Sequence, residues 1–262
     1  MTRVRLDQLL VDRALAPSRA AAQALLLAGE VELAGAGTRT LKPGQLVDRE
    51  ALVSVVARRR WASRGGDKLA AALNAFEVAP AGLACLDAGA STGGFTDVLL
   101  AHHARIVYAV DVGRGQLLDR LARDPRVVTM ERTNLRTLHQ LPEPIDLATL
   151  DLSFISLSLV LGAVRDLLVA DGRAIALVKP QFEAGREAVP RGGVVREAGT
   201  HRAVLLAFGE DAREAGFAPA ALIPSPLVGA DGNREFLALL ARGDEPHVDW
   251  ERLVHAVVPS PV

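Results

Sequence analysis

Apolar and polar positions follow two rhythms along this chain, and the change falls near residue 60. Before it the segments are short. Leu6, Leu9, Leu10 and Val11 share one face of a short helix. Ser18 stands as the N-cap of a second helix over residues 20–28, which Gly29 ends. Residues 31–33 alternate as a strand, Gly35-Ala36-Gly37 and Lys42-Pro43-Gly44 read as turns, and residues 51–56 form a further strand. Helix–turn–helix followed by strands predicts a small α+β module.

After residue 60 the elements lengthen and alternate. The pattern predicts strands over 83–87, 106–111, 127–131, 146–151, 174–179, 219–223 and 235–240. Between them it predicts helices over 67–76, 94–102, 115–123, 157–168 and 200–215, with a last helix over 249–258. Such alternation implies an α/β fold, a mostly parallel, doubly wound Rossmann-like sheet whose strand C-termini carry the site. The Gly- and charge-rich segment 181–199 reads as a loop near that edge.

Composition narrows the class. Half of the 262 residues are apolar, but none of the apolar runs reaches the roughly 18 residues of a membrane span. The N-terminus lacks an apolar stretch with a cleavage site, and the single cysteine, Cys85, excludes an internal disulfide. A soluble, cytoplasmic, monomeric protein without membrane or metal is expected. The near-zero net charge hides an asymmetry: residues 1–60 carry ten basic and six acidic side chains, the remainder 20 and 25. A basic front module suggests a polyanionic partner. Only three of the 30 basic side chains are lysines: Lys42, Lys68 and Lys179. Where arginine dominates, a retained lysine points to work that an always-protonated guanidinium cannot do.

The sharpest motif is Leu86-Asp87-Ala88-Gly89-Ala90-Ser91-Thr92-Gly93-Gly94-Phe95. An apolar strand ends in an acid, and a Gly-rich turn opens a helix. Asp111 ends the next strand, where an acid can bind both ribose hydroxyls of a nucleoside. The turn does not fit the dinucleotide pattern. Gly89-Ala-Ser91-Thr-Gly93 fits a nucleophile elbow literally, but His201, His247 and His255 do not follow strands in suitable loops. An S-adenosylmethionine (SAM) site, a serine hydrolase and a purely structural turn all remain open on this motif alone. Further polar residues are scattered along the chain: Lys68 at the opening of the second domain, Asp151 at the end of the fourth strand, Lys179 at the end of the fifth and Glu235 at the opening of the last, with strands four and five bringing Asp151 and Lys179 to the edge of the Gly-rich turn. Two lysines and two acids around one nucleoside site favour the SAM reading.

These four residues resemble the Lys-Asp-Lys-Glu tetrad of the FtsJ-like RNA 2′-O-methyltransferases. The front module, through Arg5-Leu6-Asp7, Ser18-Arg19, residues 28–31 and the Lys42-Pro43-Gly44 turn, resembles an S4-type RNA-binding domain. Together with SRGGDK (63–68), LDAGASTGGFTD (86–97), DLSFIS (151–156), KPQFE (179–183) and GNREF (232–236), nearly the whole chain is similar to the TlyA family. Members methylate the 2′-OH of cytidine in ribosomal RNA, and many are labelled hemolysins.

The resemblance implies a class I SAM-dependent methyltransferase sheet over residues 64–262, a linker over 59–63 and an S4-like domain over 1–58. It implies catalysis by Lys68, Asp151, Lys179 and Glu235, with Lys179 activating the 2′-OH. SAM would be held by Asp87, Gly89, Ser91, Gly93, Gly94, Asp111 and Asn134. Ribosomal RNA would be gripped by Arg3, Arg5, Arg19, Lys42 and Arg64. The basic run Arg58-Arg59-Arg60-Trp61 reads as a tether able to touch RNA. About twenty residues beyond the last strand, and a few before Arg5, point to the longer family type that acts on both 16S and 23S RNA. A membrane-active hemolysin and a catalytically silent ribosome-assembly factor are the alternatives.

Overall fold

A computed structural model describes all residues except 1–2, 28, 35–40, 56–59, 191, 230–231, 244–247 and 260–262. The turn expected at 35–37, the end of the strand expected at 51–56 and the start of the expected linker lie outside the described residues. The chain divides into two compact units, residues 1–60 and 61–262.

The first unit contains β1 (Arg3–Arg5), α1 (Leu6–Asp12), α2 (Arg19–Leu27), β2 (Val31–Leu33), β3 (Leu46–Asp48) and β4 (Val53–Val55). Its strands pair antiparallel as β1 with β3 and β2 with β4. Leu6, Leu9 and Leu10 of α1 are buried with Ala22, Leu26, Val31 and Val47, so the apolar helix faces meet as their spacing requires. Ser18 caps α2, its Oγ accepting from Ala21 N at 3.2 Å. The strands β1 and β3 are not expected from the sequence pattern.

The second unit is built on seven strands: β5 (Ala84–Ala88), β6 (Ile106–Val110), β7 (Val127–Met130), β8 (Ile145–Leu150), β9 (Leu168–Val178), β10 (Phe217–Pro224) and β11 (Phe236–Arg242). Their order is β10-β11-β9-β8-β5-β6-β7. The five from β9 to β7 run parallel, while β11 is antiparallel to both β9 and β10. Successive side chains leave a strand on opposite faces, and β11 shows this plainly. Phe236, Ala238 and Leu240 enter one apolar layer, with Val160, Leu161 and Val164 of α6 (Ser158–Leu167) and Leu205 and Phe208 of α9 (Ala198–Glu214). Leu237 and Leu239 enter the other, with Leu69, Ala72 and Leu73 of α3 (Gly65–Ala75) and Val98 and Leu99 of α4 (Gly94–Ala101). The helix α10 (Trp250–Val257) seats Trp250 against Gly209, where a side chain would collide with the indole.

Three expectations change. The helix expected over 115–123 shrinks to α5 (Asp119–Ala122), because Gly115 takes φ +64°, which breaks a right-handed helix, and residues 112–118 bend instead. The 181–199 loop contains two single-turn helices, α7 (Pro180–Glu183) and α8 (Gly185–Ala188); Pro180 at the first helical position favours the turn. Trp61 is 7% exposed among Leu69, Phe95 and Leu99, so the end of the basic run belongs to the core of this unit rather than to a solvated tether.

Candidate active site

The Gly-rich turn links β5 to α4 through Asp87, which is fully buried. Its Oδ2 accepts from Thr96 N at 2.7 Å and Thr96 Oγ1 at 2.6 Å, fastening the strand end to the first turn of the helix. Its Oδ1 is buried and has no hydrogen-bond partner among the described residues. Burial pushes the Asp87 carboxyl up to about 7, with the charges of Asp151 and Asp111 acting in the same direction and the Thr96 hydrogen bonds against it. Gly89 has φ +86°, and a Cβ there would stand 2.5 Å from the Asp151 carbonyl oxygen. Only glycine lets the turn approach that backbone.

Ser91 adopts φ +45° and donates its backbone N–H to Asp111 Oδ2 at 2.8 Å; Asp111 Oδ1 accepts from Gly113 N at 2.7 Å. The turn is thus bent around a carboxylate at the end of β6. Gly93 (φ +95°) and Gly94 serve packing: a Cβ would run into Leu121 and Leu117 at the first, and into the Ser63 hydroxyl at the second. Asn134 is exposed and caps a short turn by accepting from Arg136 N at 3.0 Å, one residue after Thr133, whose N–H meets the Asp111 carbonyl. Val112, which the motif reading passed over, is 73% exposed beside Asp111.

The two lysines arrive from opposite sides of the chain. Phe236 pairs with Val178 in the β11–β9 ladder, so Glu235 and Lys179 lie at the same strand edge one residue further on. Lys179 Nζ stands 2.7 Å from Asp151 Oδ1 and 2.9 Å from Ser153 Oγ. Asp151 follows β8 directly, its N–H bonded to the Ala88 carbonyl beside the Gly-rich turn. Lys68, on α3, reaches Glu235 Oε2 at 2.5 Å. The first turn of α3 borders Asp151, since a Cβ on Gly65 would lie 3.4 Å from Asp151 Oδ2. Lys68, Lys179 and Glu235 are all buried. The tetrad is therefore two ion pairs, each lysine with its own carboxylate, at the edge that carries the Gly-rich turn. Buried charges of this kind persist only when paired. Arg64, at the N-cap of α3, is exposed near this edge.

Sequence reasoning missed the supports of this arrangement, although their stretches were singled out. Glu183 accepts from Ser156 Oγ at 2.6 Å and Leu157 N at 3.0 Å, tying the Lys179 turn to the loop after Asp151; burial pushes its carboxyl up. Phe154 lies in that loop with φ +66°, 90% exposed, its ring 5.1 Å from that of Phe182. Asn233, buried, accepts from Val195 N and donates to the Gly193 carbonyl, both at 2.9 Å. His201 is buried with Nε2 3.1 Å from the Val195 carbonyl, and burial pushes its pKa down. It steadies the 193–195 loop beside Asn233.

In the first unit the candidate RNA residues surround a buried acid. Asp7 is fully buried, and its carboxylate accepts from Arg5 Nε at 3.0 Å and Nη2 at 2.8 Å, Arg19 Nε at 3.1 Å and Gln23 Nε2 at 2.9 Å. The Arg5 hydrogen bonds, foremost, hold it well below the usual carboxylate range. Both arginines remain about half exposed. The turn after Lys42 adjoins them, since a Cβ on Gly44 would lie 3.3 Å from an Arg5 guanidinium nitrogen. Lys42 and Arg3 are exposed.

Residues 61–242 match the family described as FtsJ-like methyltransferase. The chain is 46% identical over 244 residues to the 16S/23S rRNA (cytidine-2′-O)-methyltransferase TlyA of Mycobacterium tuberculosis, covering 91% of this chain and 90% of that one. A solved structure from Streptococcus thermophilus, described as a hemolysin, is 40% identical with a TM-score of 0.75, over 98% of this chain and 96% of that one. This chain belongs to the TlyA family of FtsJ-like methyltransferases. The TlyA sheet is the class I methyltransferase sheet: an S-adenosylmethionine-dependent methyltransferase structure from Listeria monocytogenes has the same fold at 18% identity, with a TM-score of 0.53 over 70% of this chain and 100% of that one. Membership makes SAM the cofactor. Among the described residues, no helix of this TlyA family member is long and apolar enough to cross a membrane.

Proposed function

We propose that this chain methylates the ribose 2′-OH of cytidine in ribosomal RNA, in both the 16S and 23S molecules, and so works in the cytoplasm on ribosomal subunits. The observation that carries the reading is Lys179: a buried amine held at 2.7 Å by Asp151, at the edge of the sheet where the Gly-rich turn ends. Bound SAM would supply an electrophilic methyl whose bonding electron pair stays on sulfur when the acceptor oxygen attacks. The residues present fit that group. Asp87 offers an unpartnered buried oxygen suited to a cationic donor, Asp111 a carboxylate suited to ribose hydroxyls, and Gly89 and Ser91 a tightly bent turn between them, which Gly93 and Gly94 would hold against the protein while their backbone borders the ligand. Asn134 and Val112 would border the base.

A ribose hydroxyl is a weak nucleophile at neutral pH, so the enzyme must align it and take its proton. Lys179 takes that proton, Asp151 orients its amine and balances the resulting charge, and Glu235 does the same for Lys68, which lies across the site. Residues 1–58 act as the S4-like RNA-binding domain, with Arg3, Arg5, Arg19 and Lys42 contacting phosphates, residues 59–63 as the connection, and residues 64–262 as the methyltransferase domain, with Arg64 as a further phosphate contact.

The test is Lys179→Arg, which keeps the positive charge but cannot accept a proton. SAM binding should be retained and methyl transfer to purified 30S and 50S subunits should fall by about 10³-fold or more. Near-wild-type turnover would sink the assigned role. Mapping 2′-O-methyl positions on both RNAs after the wild-type reaction tests the dual substrate; a modification confined to one RNA would restrict it.

A further inference from the structure

We propose that Ser153 is a positioning residue for the transfer: its Oγ, 2.9 Å from Lys179 Nζ, fixes the direction in which the lysine amine faces the ribose hydroxyl. The proposal rests on the reading of Lys179 as the proton acceptor. To take the hydroxyl proton, the Lys179 ammonium must first release one to solvent; the amine then has two N–H bonds and one lone pair. Asp151 Oδ1 at 2.7 Å and Ser153 Oγ at 2.9 Å are two acceptors at one nitrogen. With both N–H bonds taken, the lone pair is confined to the remaining tetrahedral direction. With Asp151 alone, the amine would turn about its last carbon–nitrogen bond and present the lone pair only part of the time. After transfer the ammonium keeps both acceptors, and the hydroxyl proton occupies the position the lone pair held.

Two further observations separate this from a chance surface contact. Ser153 is exposed, so burial does not oblige its hydroxyl to find a protein partner, and yet it meets the buried Lys179. The residue after it, Phe154, holds φ +66°, a conformation that L-residues other than Asn and Asp rarely adopt. Such strain persists where surrounding contacts over-determine it. Here they are the Glu183 bonds to Ser156 and Leu157 on one side and the Asp151 N–H bond to Ala88 on the other. The loop is fixed at both ends, with Ser153 between them.

The experiment uses the full chain, radiolabelled SAM and purified ribosomal subunits, comparing wild type, Ser153→Ala, Ser153→Thr and Lys179→Arg. Single-turnover rates, the KM for subunits and the Kd for SAM are measured, with thermal unfolding to confirm that each variant is folded. Ser153→Ala should lower the single-turnover rate on the order of 10-fold with KM and Kd unchanged. Ser153→Thr, which keeps the hydroxyl, should recover most of that loss. An unchanged rate in Ser153→Ala, a loss confined to KM, or a threonine variant as slow as the alanine one would each overturn the proposal. If Lys179→Arg is inactive while Ser153→Ala is wild type, only the Ser153 role falls. If Lys179→Arg retains turnover, the reading of Lys179 falls and the Ser153 role with it.

Discussion

Among the described residues each unit of the chain buries one aspartate completely, and the two hold their protons oppositely. Asp7 is met by Arg5, Arg19 and Gln23, and its carboxyl is held low. Asp87 has only Thr96 on one oxygen, nothing on the other, and two further acids nearby, and its carboxyl is pushed up to about 7. A buried carboxylate stays ionised when donors replace the water it lost; without them it takes up a proton. The first arrangement is complete, and its acid fixes two arginines that remain about half exposed. The second is incomplete among the described residues, and on the proposed reading a ligand that brings positive charge would complete it.

The largest effect that could break this comparison is at Asp87. Asp87→Asn should weaken SAM binding on the order of 100-fold, measured by calorimetry, because the charge that completes the pocket is gone. The same change should stabilise the ligand-free protein at pH 8. The amide oxygen can still accept from Thr96, and no buried charge remains. The sign follows from linkage: the folded-state pKa lies above the ordinary value, so the folded protein binds more protons and stability falls as pH rises from about 4 to about 7. The gain in melting temperature should therefore be greatest above pH 7 and vanish near pH 4. A variant that loses SAM affinity and stability together would mean that Asp87 is a structural residue only.

The next effect is smaller. In the wild type, SAM affinity should rise about tenfold between pH 6 and pH 8 as Asp87 ionises. SAM has an amine that titrates as well, so the informative quantity is the difference from Asp87→Asn, in which this rise should disappear. Parallel profiles for the two proteins would show that the carboxyl does not titrate in this range.

How much of this was legible in the sequence depends on distance along the chain. The Gly-rich turn, Asp111, Asp151 and Lys179 were legible because each sits at the end of an apolar run, whereas Lys68 and Glu235 stood out through the family resemblance. The alternation of the runs brings their ends to one edge. The pairing within the tetrad was not legible. Lys68 joins Glu235 rather than Asp151 because β11 inserts antiparallel between β9 and β10, a register that no local pattern encodes. Ser153 was invisible for a related reason, since its partner Lys179 lies just past the end of β9, 26 residues away. Gly93 and Gly94 read as ligand-approach glycines, but their hypothetical side chains meet Leu121, Leu117 and Ser63. Local sequence shows that a glycine is needed and leaves open what crowds it. In the first unit the positive charges were plain, but the buried acid among them was not. A lone Asp at the start of a helix looks like any other until Arg19 and Gln23 fold onto it.

That acid gives the smallest effect and the finest test of the comparison. Arg19→Ala should weaken binding to ribosomal RNA about 3- to 5-fold at moderate salt and lower the steepness of its salt dependence by about one unit, as the loss of one phosphate contact does. Asp7→Asn separates orientation from charge. It leaves every cation in place and makes the unit more positive by one, so if net charge alone set the affinity, binding would tighten. It also removes the carboxylate that holds Arg5 in a two-point contact and Arg19 beside it. If the unit works by presenting pre-oriented guanidinium groups, binding should instead weaken about 2- to 3-fold with the salt slope unchanged, since the number of phosphates met stays the same while the ordering of two flexible side chains falls on the binding step. Tighter binding by Asp7→Asn would reduce the buried acid to a folding element and leave the pocket around Asp87 as the one place where a buried aspartate serves a ligand.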